Sequence, residues 1–320
     1  MASSPAELNR RELGRGGPRV SVVGLGTNNF GRRMAEEAVG PVVDAALDQG
    51  INLFDTADIY GGGESERLLG RALRGRRDQA LIATKFGMSR AGEDPELHRG
   101  DPAYIRDALQ ASLRRLDVEV IDLYQMHEPD PFTPIAETLG TLNELVQQGK
   151  VRWIGCSNFA SWQVVDADWT ARSLGLTSFV SAQDQYSLLN RDVERELLMA
   201  LDHSGMGLLP YFPLASGMLT GKYRRGQPPP PGSRLAIASY AAQLDQTRFD
   251  VVEALERFAE QRGISLLQVA IGSLLGRPQV GSVIAGATRP EQVVANVNAA
   301  SWIATQDDWA ELDRIAPRTG

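Results

Sequence analysis

Four ionisable residues stand at or just beyond the ends of short apolar runs, and their types complement one another. Asp55 follows Ile51-Asn52-Leu53-Phe54, and Tyr60 lies five residues further on. Lys85 follows Leu81-Ile82-Ala83-Thr84, and His127 follows the run from Ile121 to Met126. A carboxylate, a phenol, an ammonium and an imidazole brought to one pocket suit the protonation of a carbonyl oxygen as hydride reaches its carbon. A phenol with an ordinary pKa near 10 holds its proton at neutral pH but gives it up reluctantly. A nearby ammonium favours the phenolate, and a carboxylate paired with that ammonium keeps it charged and fixed. His127 can aim a ring N–H at the same oxygen in the manner of an oxyanion donor. Taken alone, Asp55 and Lys85 also read as an ordinary structural ion pair. Lys85 as a Schiff-base amine is a third reading, from the lyase or isomerase class. That role needs a depressed lysine pKa, and the carboxylate of Asp55 argues against it.

The elements that would position these residues repeat at intervals of about thirty residues. Strand candidates rich in Val, Ile, Leu and Phe begin near Val22, Ile51, Ala80, Val120, Val151, Phe179, Met206 and Gly281. They are too short for helices and mostly lack the polar alternation of a solvent-facing sheet, so they read as buried parallel strands. Helix candidates fill the gaps at Ala35 to Gln49, Ser65 to Leu73, Pro102 to Leu116, Pro134 to Gln148, Ser161 to Leu174, Asp192 to Ser204 and Pro290 to Ala300. Asp101 before Pro102 is an N-cap followed by proline at the first helical position. Eight even βα units without a composition break favour a closed (β/α)8 TIM barrel over an open doubly wound sheet. In such a barrel the four residues fall at the C-terminal strand ends, where active sites form. Leu8 to Val20, with Gly14, Gly16 and Gly17, reads as an N-terminal β-hairpin closing the floor. Tyr223 to Leu244, with Pro228 to Pro231 and Gly232, reads as a long irregular loop before the last βα units, suited to a lid. Residues 1–320 are expected to form one domain.

Composition narrows the function classes. With 42% hydrophobic residues and a formal net charge of -7, the 33 basic residues are scattered, so nucleic-acid binding is not expected. The stretch from Met1 to Gly17 is polar, and no run approaches a membrane span, so a cytoplasmic protein is expected. Cys156, the single cysteine, reads as a buried packing residue. Three histidines without a Cys/His/Asp cluster at metal spacing leave no metal expected, with His98 and His203 read as packing residues. Gly24-Leu25-Gly26 lacks the third glycine of a dinucleotide fingerprint, since Asn29 stands there. Gly217 to Lys222 imitates a phosphate loop but is one residue short between its glycines. The five tryptophans are scattered and read mostly as packing.

The run from Asn52 to Gly61, followed by Thr84-Lys85, Tyr124-Gln125-Met126-His127 and Gly155-Cys156-Ser157-Asn158-Phe159, closely resembles the aldo-keto reductases. The likeness continues in order through Gln183 to Ser187, Tyr211 to Tyr223 and Gly286 to Asn296, nearly the whole chain. It implies that Asp55, Tyr60, Lys85 and His127 form the family's catalytic tetrad, with NADPH/NADP+ as cofactor and a small-molecule carbonyl as substrate. By the same resemblance, Ser157, Asn158 and Gln183 hydrogen-bond the nicotinamide carboxamide and Tyr211 stacks on its ring. Leu214, Gly217, Leu219 and Lys222 then lie in the pyrophosphate loop, and Arg289, Gln292 and Asn296 at the adenosine end. A basic side chain at the ribose 2′-phosphate would favour NADPH over NADH. Phe30, Phe86 and Glu128, with the proline-rich loop, would shape the substrate pocket for sugars, small aldehydes or polyketide-like ketones. A nucleotide-linked keto-sugar reductase is a narrower alternative. A non-enzymatic NADPH-binding regulatory subunit is another, since some members of the family serve channels.

Overall fold

The computed structural model describes residues 8–89, 92, 94, 96–237 and 244–318. An antiparallel hairpin, β1 (Arg10–Glu12) and β2 (Arg19–Ser21), opens the chain. Its turn carries Leu13 into the barrel floor, where that side chain is fully buried among Leu53, Ala83, Leu123, Leu209 and Ile284. Gly14 allows the approach: its φ is +71°, and a Cβ there would lie 2.1 Å from the carbonyl oxygen of Val180. The hairpin therefore plugs one end of the barrel, as the sequence predicts, and leaves the other end for the site.

Eight parallel strands follow: β3 (Val23–Gly26), β4 (Leu53–Asp55), β5 (Leu81–Phe86), β6 (Ile121–Met126), β7 (Val151–Ser157), β8 (Ser181–Gln185), β9 (Gly207–Tyr211) and β10 (Val283–Gly286). Their order is β10-β3-β4-β5-β6-β7-β8-β9, and a parallel bridge between Leu208 and Val280 joins the two ends. The result is the expected (β/α)8 barrel. Between the strands lie α1 (Glu36–Asp48), α2 (Glu64–Ala72), α3 (Pro102–Leu116), α4 (Ile135–Gln147), α5 (Ser161–Leu174) and α6 (Leu197–Ser204). After β9 come α7 (Gln246–Gln261) and α8 (Leu266–Leu275), and after β10 come α9 (Pro290–Ala299) and α10 (Gln306–Ile315). Asp101 caps α3 as its sequence requires, accepting from the backbone N–H of Ala103 at 2.8 Å.

Several expectations are corrected. The helix expected over Asp192 to Ser204 is a 3₁₀ turn at Asp192–Glu194 followed by α6. Side-chain chemistry breaks it: Glu194 is drawn inward to Arg191, Arg277 and the hydroxyl of Tyr186, and Glu196 leaves helical backbone. Helices α7, α8 and α10 were not anticipated. Trp162 and Trp169 are 69% and 68% exposed rather than packed, and His98 and His203 also lie on the surface. The proline-rich loop is irregular as expected, apart from a 3₁₀ turn at Arg234–Ala236, but it does have an apolar anchor. Leu235 is buried in a second core with Tyr223, Phe249 and Leu255. Residues 238–243 of that loop lie outside the described residues.

Candidate active site

Strand alternation turns Asp55, Lys85, Gln125, His127 and Gln183 toward the barrel axis, at the end opposite the hairpin. The ammonium of Lys85 is at the centre, with no exposed surface. Its Nζ donates to both carboxylate oxygens of Asp55 at 2.8 Å, to the backbone oxygen of Thr56 at 2.8 Å and to the hydroxyl of Tyr60 at 3.4 Å. Gln183 Nε2 donates to Asp55 Oδ1 at 2.8 Å, and Gln125 Nε2 approaches the same oxygen at 3.5 Å. Asp55, Tyr60, Lys85 and His127 are thus brought together as their positions in the sequence suggest.

Tyr60 leaves β4 on a 3₁₀ turn, Tyr60–Gly63, and three glycines make that turn possible. Gly61, Gly62 and Gly63 all have positive φ, and a Cβ on Gly63 would lie 2.6 Å from Cδ of Arg115. Arg115 in turn donates to Glu66 at 2.6 Å, and the other Glu66 oxygen accepts from Thr84 at 2.6 Å, one residue before Lys85. A buried carboxylate therefore ties α2, α3 and β5 into one support beneath the phenol. Sequence reading missed Glu66, Arg115 and Gln125. Gln125 was legible in principle, since it precedes His127 by two residues and so shares its face of β6.

Burial raises the phenol pKa of Tyr60 above its ordinary value; the charge of Lys85 pulls it down but does not prevail. The ammonium's bias toward phenolate is therefore present yet outweighed, and Tyr60 keeps its proton at neutral pH. Burial also works against the charge on Lys85, but Asp55 and Tyr60 overcome it and its pKa is raised. His127 is held neutral, its pKa lowered to about 2 by burial and by the charge of Lys85. Its Nδ1 is buried and has no hydrogen-bond partner among the described residues. A buried N–H without an acceptor costs more than a buried lone pair on a weak base, so the proton belongs on Nε2. The ring meets Tyr60 edge-on, with centroids 6.0 Å apart.

Beside this cluster, Ser157 donates to the backbone oxygen of Gln183 at 2.8 Å. Asn158 sits in left-handed backbone, φ 60°, where asparagine is tolerated. Its Nδ2 donates to the backbone oxygen of His127 at 3.0 Å, and its Oδ1 accepts from the hydroxyl of Tyr211 at 2.9 Å. Tyr211, whose pKa is pushed up to about 12 mainly by burial, ends β9. Leu214 precedes the following 3₁₀ segment, Ala215–Thr220, which carries Gly217 and Leu219 and leads to Lys222. A Cβ on Gly217 would lie 2.7 Å from the ammonium of Lys222, and Lys222 has no carboxylate partner among the described residues. Arg289 is exposed at the N-cap of α9, with Gln292 bonded to Thr288 and Asn296 buried on the same helix. These residues give a turn with a close backbone approach and cations at two places, a donor set that fits a dinucleotide's phosphates. Arg234 closes over this end of the barrel, its guanidinium 5.1 Å over the ring of Phe212 and bonded to Asn29 at 3.2 Å.

Of the three expected substrate contacts, only Glu128 is partly exposed, where it accepts from Ser89. Phe30 and Phe86 are fully buried in the main core, Phe86 stacked on Tyr124 at 4.7 Å. A depression of about 1070 Å³ lies at the opposite, hairpin end, lined by Arg10, Arg19, Arg77, Asp78, Asp117 and Trp153 among others. Its charges are mixed and none of the four clustered residues reaches it.

Two buried groups give opposite acid–base signatures. His127 takes up a proton only on unfolding between about pH 2 and its ordinary value of 6.5, so its contribution to stability rises with pH across that window. Asp184, whose Oδ2 is buried without a hydrogen-bond partner among the described residues, has its carboxyl pushed up by burial to about 7 from 3.8. It binds a proton on folding, so its contribution falls as pH rises through that range. The wild-type profile should be shallow between about pH 4 and 6.5, because the two slopes oppose. His127→Asn should lose stability with rising pH, and Asp184→Asn should gain it, by up to about 1.4 kcal/mol per pH unit. Urea unfolding across this range checks both, and parallel profiles for the two variants would contradict the assignment.

Comparison with known proteins agrees with this geometry. Residues 22–317 match the model of the Aldo/keto reductase family. The chain is 35% identical over 302 residues to a "Probable voltage-gated potassium channel subunit beta" from Oryza sativa subsp. japonica, covering 91% of each chain. It is 32% identical over 318 residues to "Probable aldo-keto reductase 1" from Glycine max, covering 98% of this chain and 90% of that one. It is 36% identical over 325 residues to the "Uncharacterized oxidoreductase YrpG" of Bacillus subtilis (strain 168), covering 96% of each. A closed (β/α)8 barrel, four complementary ionisable groups at its open end and a family match over nearly its full length together place this chain in the aldo/keto reductase family.

Proposed function

We propose that this single-domain barrel reduces an aldehyde or ketone to an alcohol with NADPH, using Tyr60 as proton donor. The observation that carries the reading is the position of the Lys85 ammonium, bonded at once to Asp55, the Thr56 carbonyl and the Tyr60 hydroxyl. The bound nicotinamide supplies the hydride. Tyr60 holds its proton in the resting state because burial raises its pKa, and Lys85 stabilises the phenolate left once that proton moves. His127, neutral and protonated on Nε2, donates a second hydrogen bond to the carbonyl oxygen and orients it. Asp55 fixes the ammonium and links it to Gln183, whose amide oxygen is left to accept from a carboxamide N–H. Ser157 and Asn158 complete that contact, Tyr211 stacks on the ring, and the Leu214 to Lys222 segment takes the pyrophosphate. Glu128 borders the substrate opening, and Phe30 and Phe86 support it only from the core behind. A cytoplasmic setting suits NADPH and the lone buried thiol.

A second reading, a regulatory subunit that binds NADPH without turning it over, is favoured by the relatives named as channel β subunits. Turnover separates the two. The wild-type protein should oxidise NADPH in the presence of a generic aldehyde, and Tyr60→Phe should lower kcat by about 100- to 10,000-fold with little change in NADPH affinity. Binding without turnover in the wild type would favour the regulatory reading. A Tyr60→Phe variant with at least about half of wild-type activity would remove Tyr60 as the donor.

Cofactor choice is tested at Arg289. It is exposed one residue before Pro290, at a helix N-terminus whose backbone N–H groups already favour phosphate. A charge-assisted contact to the 2′-phosphate contributes about 1.5 to 3 kcal/mol, so Arg289→Ala should weaken NADPH by roughly 10- to 150-fold. NADH should bind about as before. Equal losses for both cofactors would assign Arg289 to the adenine or the fold, and no loss for either would move the phosphate site elsewhere.

A further inference from the structure

Two polar side chains in the first turn of α2 are sealed from water, where an amphipathic helix would place apolar ones. Ser65 and Glu66 have no exposed surface, and they follow the Tyr60–Gly63 turn almost directly. Gly63, the N-cap of α2, offers no side chain, so the start of the helix is held through these two residues instead. Ser65 Oγ donates to the backbone oxygen of Thr27 at 2.9 Å and is bonded to the hydroxyl of Thr56 at 2.9 Å. The carbonyl of that same Thr56 accepts from Lys85 Nζ. Glu66 accepts from the Thr84 hydroxyl with one oxygen and from Arg115 Nε with the other, both at 2.6 Å. Thr84 precedes Lys85 on β5 and, by strand alternation, points the opposite way, out of the barrel.

The loop from Thr56 to Glu66 is therefore closed at its base, by Ser65 on Thr56 and by Glu66 on the neighbour of Lys85. Tyr60 lies inside that loop. Its ring is rigid, so the place of its hydroxyl follows the backbone beneath it. Arg115, held by Glu66, lies so close to Gly63 that a Cβ there would be 2.6 Å from its Cδ, and the turn rests on the pair. The Tyr60 hydroxyl stands 3.4 Å from Lys85 Nζ, near the longest separation at which a hydrogen bond survives, so a small outward shift breaks the contact. A buried carboxylate is a poor way to add stability, since an apolar side chain of similar size packs there without losing hydration. What the carboxylate adds is direction, because its two oxygens must meet Thr84 and Arg115 at set angles. We infer that Glu66, aided by Ser65, is a positioning residue that holds the phenol of Tyr60 at bonding distance from Lys85. The inference rests on Tyr60 as the proton donor, and Glu66 acts on it through the turn and through Thr84.

Variants of the full chain test this through kcat, NADPH affinity and the ionisation of Tyr60, the last followed by ¹³C NMR of tyrosine labelled at Cζ, with the Tyr60 signal assigned by its loss in Tyr60→Phe. Glu66→Gln, whose amide nitrogen cannot accept, should lower kcat by about 10- to 100-fold and change the Kd for NADPH by less than about twofold. Thr84→Val removes one hydrogen bond at unchanged charge and similar shape, and should lower kcat by about 3- to 10-fold. Thr84→Ser keeps the hydroxyl and should restore it. The phenol gives the sharper sign. Lys85 draws the Tyr60 pKa down, so a phenol moved away from it titrates higher, whereas deleting the charge of Glu66 without movement would shift it lower. An upward shift is therefore expected in both Glu66→Gln and Thr84→Val. A folded Glu66→Gln with wild-type kcat, or with Tyr60 titrating at or below its wild-type position, would overturn the inference; if Glu66→Gln does not fold, the same results are read in Thr84→Val. Should the wild type bind NADPH without turnover, the donor reading fails, and the titration alone decides whether Glu66 places the phenol.

Discussion

A lysine ammonium sealed from water inside a β-barrel loses hydration worth several kcal/mol, and the loss is recovered only if its protons find good partners. Lys85 finds them in Asp55, in the Thr56 carbonyl and in Tyr60. The rest of the site follows from meeting that need. Asp55 must face the ammonium with both oxygens, and the amides of Gln183 and Gln125 hold one of those oxygens in place. Tyr60 must return over Lys85 five residues after Asp55, and the glycines in left-handed backbone just beyond it then turn the chain into α2. His127, buried in the same pocket and beside that positive charge, is driven neutral and so becomes a hydrogen-bond donor rather than an acid.

The barrel makes this arrangement repeatable. Its lower interior is apolar and plugged by Leu13 from the hairpin, so water cannot reach the ion pair from below. Above that layer the interior is polar, and some atoms there lack partners among the described residues, including Gln125 Oε1 and Ser181 Oγ. Paired strands fix which side chains share a level: Lys85 is in register with Gln125, and Ser157 with Gln183. A shift by one residue would turn Lys85 out of the interior and expose Thr84 or Phe86 to it instead.

Much of this was legible in the sequence because short, doubly buried strands leave a plain signal. All eight strand starts fall within about two residues of those expected, and the four reactive residues sit at strand ends or in the loop just beyond. The helices after β9 were not read, although their signals exist. Ser265 and Gln268 form a capping box, and Phe249, Val252, Leu255 and Phe258 mark one face of α7. The preceding proline-rich stretch masked them, because its length suggested loop where two helices had to be accommodated before β10. The 3₁₀ turn at Asp192–Glu194 was illegible for a different reason: helix propensity cannot register that Glu194 is needed by its neighbours Arg191 and Tyr186 and by the distant Arg277 just after α8. For Tyr60 the sequence reveals the neighbouring ammonium that favours the phenolate but not the burial that outweighs it.

The charge state of Lys85 is the claim on which the account turns, and it is directly observable. The chain has only three lysines, Lys85, Lys150 and Lys222, so ¹⁵N NMR of the side-chain nitrogens resolves each of them. In the wild type Lys85 should remain an ammonium beyond its ordinary pKa of 10.5, because Asp55 and Tyr60 raise it. In Asp55→Asn burial is left less opposed, and the Lys85 pKa should fall below its wild-type position. A wild-type Lys85 that titrates below its ordinary pKa, or one that does not respond to Asp55→Asn, would contradict the central role given to this ion pair.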